Sequence, residues 1–300
     1  MSILNQTAKR PRLACEITLD RVIAARASDH MQRLDAFTSR KLNPGVVAPG
    51  LNGPNVLDGD ALRAAISSGL ASVAGKSRDL IVILPDAAVR VLLLDFDSLP
   101  SGKQETDPVI RFRMKKSLPF DVDQAALSYE VRRSNGSVHA VAAVSPRSIM
   151  DEYEAAFRDA GYTPGVVVPS SLAALGLVPG DKPTLVLKVD PLNITILAAE
   201  RQELRLVRTL ENPHGAAVTA AELAEAALPS IVFFADTFAA HVEEIYVGGI
   251  VPVSEIGPLL EQQTRAKVHA LAPQLSSEQN ISGETVQPSL MAGIVGALLG

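Results

Sequence analysis

The stretch TLVLKVDPLNITILAAERQELRLVRT, residues 184–209, holds three apolar runs of six residues separated by two turn-prone breaks. Thr184–Val189 and Ile194–Ala199 flank Asp190-Pro191-Leu192-Asn193, and Leu204–Thr209 follows the polar Glu200–Glu203. Short β-branched and aliphatic runs bounded by Asp, Pro and Asn read as strands, so this stretch predicts a three-stranded meander. A helical pattern follows over Thr219–Ala240, interrupted by Pro229. Beyond it come a short strand, Glu244–Val247, ending at Gly248-Gly249, then a helix over Val253–Thr264. A final strand at Ala266–Ala270 and a C-terminal helix at Ser289–Leu299 complete the half.

The same grammar occurs nearer the N-terminus. Leu13–Leu19 and Val22–Ala27 read as strands joined around Asp20-Arg21, and residues 1–10 as an arm. Leu42–Pro54 is rich in Gly, Pro and Asn and admits at most a short strand, Val46–Ala48. Leu62, Ile66, Leu70 and Val73 then recur on one face of a helix over Ala61–Val73. Asp58 or Asp60 can cap that helix and Gly75 can stop it; the apolar strand Leu80–Leu84 ends at Pro85. Strand, strand, strand, helix, strand therefore occurs twice, as a repetition of topology and not of sequence. Two such βββαβα units side by side predict an α/β protein of the actin-like ATPase fold, built from two ribonuclease-H-like domains. An extra block lies between them: a strand at Ala87–Leu94, a helix at Asp107–Leu118, two strands at Ala125–Arg132 and Val138–Val144 around Ser134-Asn135-Gly136, and a helix at Ser148–Asp159. It reads as a small inserted α+β subdomain. The expected division is 11–85 for the first half of domain I, 86–162 for the insertion, 163–181 for the return to domain I and 182–300 for domain II.

Composition agrees with this and excludes much else. Three hundred residues suffice for two domains of ordinary size. With 47% hydrophobic residues, 4% aromatic and no Trp, the core must be aliphatic. The single cysteine, Cys15, excludes an internal disulfide framework and fits a reducing compartment. A formal net charge of −5 argues against general nucleic-acid binding. Lys9, Arg10 and Arg12 precede no apolar signal segment, and no window is apolar enough to span a bilayer. A cytoplasmic protein is expected, with any membrane role running through a partner.

Motifs of catalysis are missing. Gly75-Lys76-Ser77 resembles the end of a phosphate loop, but Leu70 stands where that motif needs Gly, and the tripeptide follows a helix; it reads as a helix C-cap turn. His30, His139, His214, His241 and His269 lack ligand spacing, and Asp95/Asp97 and Asp121/Asp123 sit beside Pro, as turn residues do. No GxSxG is present. No catalytic residue and no metal ligand is assigned. One local feature stands out: Arg111, Arg113, Lys115 and Lys116 interleave with Phe112 and Met114, while Ile110, Met114 and Leu118 form an apolar stripe. This is either an ordinary amphipathic helix or a docking surface for an acidic or extended peptide, or for anionic headgroups.

ILPDAAVRVLLLDFDSLP (83–100) and VIRFRMKKSLPFDVDQAALSYEV (109–131) resemble the type IV pilus assembly protein PilM family. The residues that carry the likeness are Leu99-Pro100, Leu118-Pro119-Phe120 and Leu127-Ser128-Tyr129. It continues through YEAAFRDAG (153–161), Pro164–Leu175 and the closing SLMAGIVGALLG (289–300). That family is similar to the cell-division protein FtsA, an actin-like fold with a subdomain inserted in its first half. The resemblance implies a cytoplasmic scaffold, peripheral to the inner membrane, of a type IV pilus or related secretion platform. It also implies ATP in the interdomain cleft, and a groove near the insertion that grips the N-terminal cytoplasmic peptide of a PilN-like bitopic membrane protein; other platform proteins are further expected partners. Phe112, Met114, Leu118 and Phe120 are the apolar candidates for that groove, with Arg111 and Arg113 for polar contacts.

The nucleotide loops depart from the family pattern. Actin-like ATPases hold phosphate on Asp-x-Gly turns, where Gly lets backbone N–H groups approach. Here Glu16 keeps the acid of the first turn, but Thr18 replaces its Gly and Asp20 adds a negative charge. Asp190 keeps the acid of the second, but Leu192 replaces its Gly and Pro191 removes a donor. Gly248-Gly249 retains the adenosine-side turn. Glu16, Asp190, Gly248 and Gly249 thus read as a remnant nucleotide site. No enzyme activity and no cofactor are expected, ATP with magnesium being the one the fold would admit. The alternative is an active actin-fold ATPase or small-molecule kinase.

Overall fold

The computed structural model describes residues 10–134, 137–271, 275, 279–281 and 286–300. Strands β1 (Leu13–Ile17), β2 (Arg21–Ala27) and β3 (Leu34–Lys41) form an antiparallel meander; helix α1 (Gly59–Val73) crosses over, and β4 (Asp79–Leu84) lies parallel to β1. The chain then makes an excursion through β5 (Arg90–Phe96), α2 (Lys103–Met114), β6 (Ala125–Ser134), β7 (Ser137–Pro146) and α3 (Arg147–Asp159). It returns as β8 (Thr163–Pro169), parallel to β4, followed by the short α4 (Ser170–Ala174). The second half comprises β9 (Thr184–Val189), β10 (Asn193–Glu200), β11 (Glu203–Glu211), α5 (Ala220–Phe238), β12 (Glu244–Gly249), α6 (Val253–Thr264), β13 (Lys267–Ala270) and α7 (Ala292–Leu299). The two large sheets have orders β3-β2-β1-β4-β8 and β11-β10-β9-β12-β13, one topology used twice; the excursion forms a third sheet, β5-β7-β6.

Strand parity explains the layers. In the first sheet Cys15, Ala24, Leu80 and Val82 point to one face, where the predicted stripe Leu62, Ile66, Leu70 and Val73 of α1 covers them. Ala14, Ile23, Ile81 and Ile83 point to the other, where they meet Ile294, Val295 and Leu298 of α7. Strands covered on both sides carry continuous apolar sequence. Asp58 caps α1 by accepting from the Ala61 N–H at 2.9 Å, and Gly75, at φ +60°, ends it.

The third strand of the first meander is Leu34–Lys41, and Val47 of the expected Val46–Ala48 makes an isolated bridge to Val56. The sequence LDAFTSRK hides that strand because Thr38 and Ser39, polar by composition, are buried beside β2. The inserted helix spans Lys103–Met114, with its end at Met114 and not at Leu118. Helix α5 runs through Pro229 without a break, from a capping box of Thr219 and Glu222. Two elements pack away from their sequence neighbours. Ile149, Met150, Tyr153 and Phe157 of α3 close on the first sheet, and α7 leaves the second half to lie on the first.

Helix α7 is apolar all round and buried from Ala292 to Leu298, as such a helix must be. It packs on α4 at very short range because Gly293 and Gly296 have no side chain: a Cβ at Gly296 would collide with the Ala173 carbonyl. Arg10, the one described residue of the expected arm, donates to the carbonyls of Ala297 and, at 2.5 Å, Gly300. A cation there satisfies open carbonyls at the negative end of the helix.

Candidate functional site

The carboxyl ends of β1, β4, β8, β9 and β12 all open on the crevice between the halves, where open α/β sheets bind ligands. Glu16 and Asp190 of the remnant site do meet there. Glu16 is buried, accepts from the Ser170 hydroxyl and takes the Ile294 N–H at 3.0 Å, so it caps the start of α7. A Cβ at Gly293 would lie 2.7 Å from its Oε1 and would force the Glu16 and Ser170 side chains to shift. Burial pushes the Glu16 carboxyl up to about 7; Lys188 and the Ser170 hydroxyl oppose the rise.

Lys188 is the residue that sequence reading missed. It projects from the end of β9 with its side chain 6% exposed, and its ammonium contacts Asp190 and, at 3.4 Å, Asp86 Oδ2. Burial works against that charge, but Asp190, Asp86 and Glu16 outweigh it and hold the ammonium well above the ordinary lysine range. Burial likewise raises the Asp190 carboxyl, against the pull of Lys188. Asp86, just after β4, also accepts from the Ser171 N–H at 2.9 Å and hydroxyl at 2.8 Å, at the start of α4. A cation of the second half is therefore clamped by an acid of the first. The signal was one charged residue inside an otherwise apolar strand, TLVLKV.

Two cavities adjoin this cluster. One, lined by Glu16, Thr18, Lys188, Asp190 and Leu192, measures about 30 Å³. The other, lined by Asp86, Leu192, Asn193 and Asn212 among others, measures about 440 Å³. Gly248 and Gly249 serve β12 itself. Leu271 lies 3.1 Å from where a Gly248 Cβ would stand, and Gly249, at φ +97°, presses on the Val189 carbonyl. Among the described residues, no group of three His, Cys, Asp or Glu side chains is placed to hold a metal ion.

A much larger opening lies on the other side of β11. Helix α2 covers one face of the three-stranded sheet, packing Ile110 and Met114 on Leu94, Ala140, Ala142 and Val144. The opposite face, with Leu93, Glu130, Arg132 and Val141, looks across at β11 and α5, and the space between measures about 600 Å³. Phe233 of α5 enters it half-exposed, and Arg205 stacks on the Phe238 ring at 5.7 Å. Three polar atoms at its wall, Glu130 Oε2, Arg205 Nε and Ser230 Oγ, are buried without a hydrogen-bond partner. Glu130 and Arg205 also form ion pairs, with Arg132 and with Glu203. The edge strands β5 and β11 border this groove, so unpaired backbone groups face it. Its trace in the sequence is the unbroken Val91–Leu94 run, apolar on both faces of a strand that α2 covers on only one.

The residues expected to grip a partner separate into two sets. Met114 is fully buried in the subdomain core, against which Leu118 and Phe120 also pack. Arg111 binds Asp107 at 2.8 Å and the carbonyls of Val122 and, at 3.1 Å, Ala125; it holds the loop after α2 in place. Phe112 and Arg113 point to solvent. None of the six lines the large groove.

Comparison with solved structures finds the same architecture. A PilM–PilN type IV pilus biogenesis complex superposes with a TM-score of 0.79 at 18% identity, over 96% of this chain and 98% of that one. The fold is actin-like and PilM-like. The cytoplasmic domain of EpsL, an inner membrane component of the type II secretion system of Vibrio cholerae, matches with a TM-score of 0.56 at 11% identity, covering 96% of this chain and 94% of that one. A Bacteroides thetaiotaomicron protein with actin-like ATPase fold and unknown function matches at 0.51, 10% identical, over 86% and 89%. No protein-family model and no curated protein matches the sequence. Among the described residues no helix is long and apolar enough to cross a membrane.

Proposed function

We propose that this protein is a non-catalytic scaffold on the cytoplasmic side of a type IV pilus or related secretion platform, and that it grips the N-terminal cytoplasmic peptide of a PilN-like bitopic membrane protein. The observation that carries this reading is the groove of about 600 Å³ between the inserted sheet and the second half. An extended peptide suits it: edge-strand backbone supplies hydrogen bonds, Leu93, Val141 and Phe233 supply apolar contact, and the unpartnered polar atoms fix register. The likeness to a PilM–PilN complex over nearly the whole chain supports the same partner class.

The absence of nucleotide turnover belongs to the same proposal. The Lys188 ammonium occupies the crevice with Asp86 and Asp190, and its ion pair with Asp86 joins the halves. Fluorescence anisotropy with the labelled N-terminal peptide of the bitopic protein tests the groove. A Leu93→Glu, Phe233→Glu variant is expected to lose binding by about tenfold or more, as for central contacts of an interface. Wild-type affinity in that variant sinks the groove assignment, and calorimetric binding of MgATP to the unmodified protein sinks the nucleotide-free reading.

A further inference from the structure

The outer side of α2 carries a second surface, turned away from the groove by the thickness of the three-stranded sheet. Phe112 is 81% exposed, the most exposed large apolar side chain among the described residues, and Val109 is exposed one turn before it. Arg113, Lys115 and Lys116 surround them in solvent. Arg113 and Lys116 form no salt bridge with a described residue, and Lys115 makes only an exposed one, at 3.4 Å to Asp123. The inward face is fixed by buried Thr106, Ile110 and Met114, and Arg111 ties the helix to the loop that follows it. The stripe is therefore rigidly presented.

From this we infer that α2 docks directly on an anionic lipid surface. Phe112 enters the headgroup region and Arg113, Lys115 and Lys116 meet the headgroups. The shape is convex, and the large cavities of the molecule are lined by none of these side chains. A convex helix with an aromatic centre and basic flanks fits a bilayer interface. Charge selects the orientation. The chain as a whole carries −5, and Glu105, Asp107, Asp121 and Asp123 stand on or near α2, two of them paired with Arg111 and Lys115. The end bearing Arg113 and Lys116 is therefore the part attracted to an anionic surface. The contact adds a direct anchor to the partner-mediated one and leaves the groove on the opposite face free.

The protein has no Trp, so a Phe112→Trp variant carries a unique fluorophore at the proposed contact. Its indole emission is expected to shift to the blue with phosphatidylcholine vesicles containing one-third phosphatidylglycerol, not with phosphatidylcholine alone, and to revert in high salt. Reversing Arg113 and Lys116 to Glu is expected to weaken partitioning by more than about thirtyfold, since each basic residue lost near such a surface forgoes about one kcal/mol and each added carboxylate is repelled. Emission unchanged by anionic vesicles overturns the inference. So does equal sedimentation of the charge-reversed variant with those vesicles, or a response to polyglutamate alone, which would mark an acidic polypeptide as the occupant. Peptide capture in the groove is expected to survive both substitutions, so the two surfaces fail separately.

Discussion

The molecule has two crevices around the same second sheet, and they are furnished in opposite ways. The interdomain crevice, where the strand ends converge, holds its own charges, Glu16, Asp86 and Asp190 around Lys188, beside a cavity of about 440 Å³. The groove beyond β11 is apolar, open to about 600 Å³, and lined by polar atoms that no internal partner satisfies. Burying a lysine among acids costs desolvation energy that its ion pairs must repay. Aliphatic walls left open to solvent forgo burial free energy in the same way. The first arrangement stiffens the protein and the second makes it receptive.

The comparison breaks most directly at Lys188. Replacing it by Met leaves Asp86 and Asp190 buried without their cation, and urea unfolding is expected to show a loss of about 3–5 kcal/mol. A loss within measurement error would mean that the cluster is solvated and the crevice open. Next in size is the response to pH. Glu16 has its folded-state carboxyl raised to about 7, above the unfolded value of about 4.3. Folded protein therefore holds this proton more tightly than unfolded protein, and its stabilising contribution is complete below the unfolded value. Stability falls as pH rises through the interval and the loss is complete above about 7, by at most about 4 kcal/mol. Glu16→Gln is expected to flatten that slope; an unchanged slope would assign it to another group.

Gly293→Ala tests how tightly the crevice is sealed. Its Cβ would crowd the Ser170 hydroxyl and stand 2.7 Å from Glu16 Oε1, so a loss of about 1–3 kcal/mol is expected in thermal or urea unfolding. The groove should respond in the other sense. Phe233→Asp, at a half-exposed position, is expected to leave stability within about 0.5 kcal/mol while weakening peptide binding. Destabilisation by several kcal/mol would show that α5 uses this ring for packing. Smallest of all, saturating MgATP is expected to leave Tm unshifted, because a ligand raises Tm only by binding the native state.

The strands of the second half and β1, β2 and β4 of the first were legible because buried strands need continuous apolar runs, and Thr184–Val189 and Leu80–Leu84 supply them; β8, Thr163–Pro169, was not read as a strand. Capping by Asp58 and the stop at Gly75 were legible for equally local reasons. Strand Leu34–Lys41 was not, since Thr38 and Ser39 are buried by neighbours distant in sequence. Thr18 and Leu192 were readable from residue type alone, whereas Lys188, a lone charge in an apolar run, left a signal that went unread. What occupies the crevice was not readable, because Asp86, 102 positions before Lys188, reaches it only through the packing of one half on the other. The sequence by itself determined the βββαβ order of the second half, the aliphatic core and the residue types at Thr18 and Leu192, all set by periodicity and by residue identity. Only the tertiary structure decided that α7 returns to the first sheet, that Met114 faces inward and Phe112 outward, and that one face of the inserted sheet stays uncovered. Those outcomes depend on which surfaces meet in space, and burial between remote segments leaves little trace in the local order of residues.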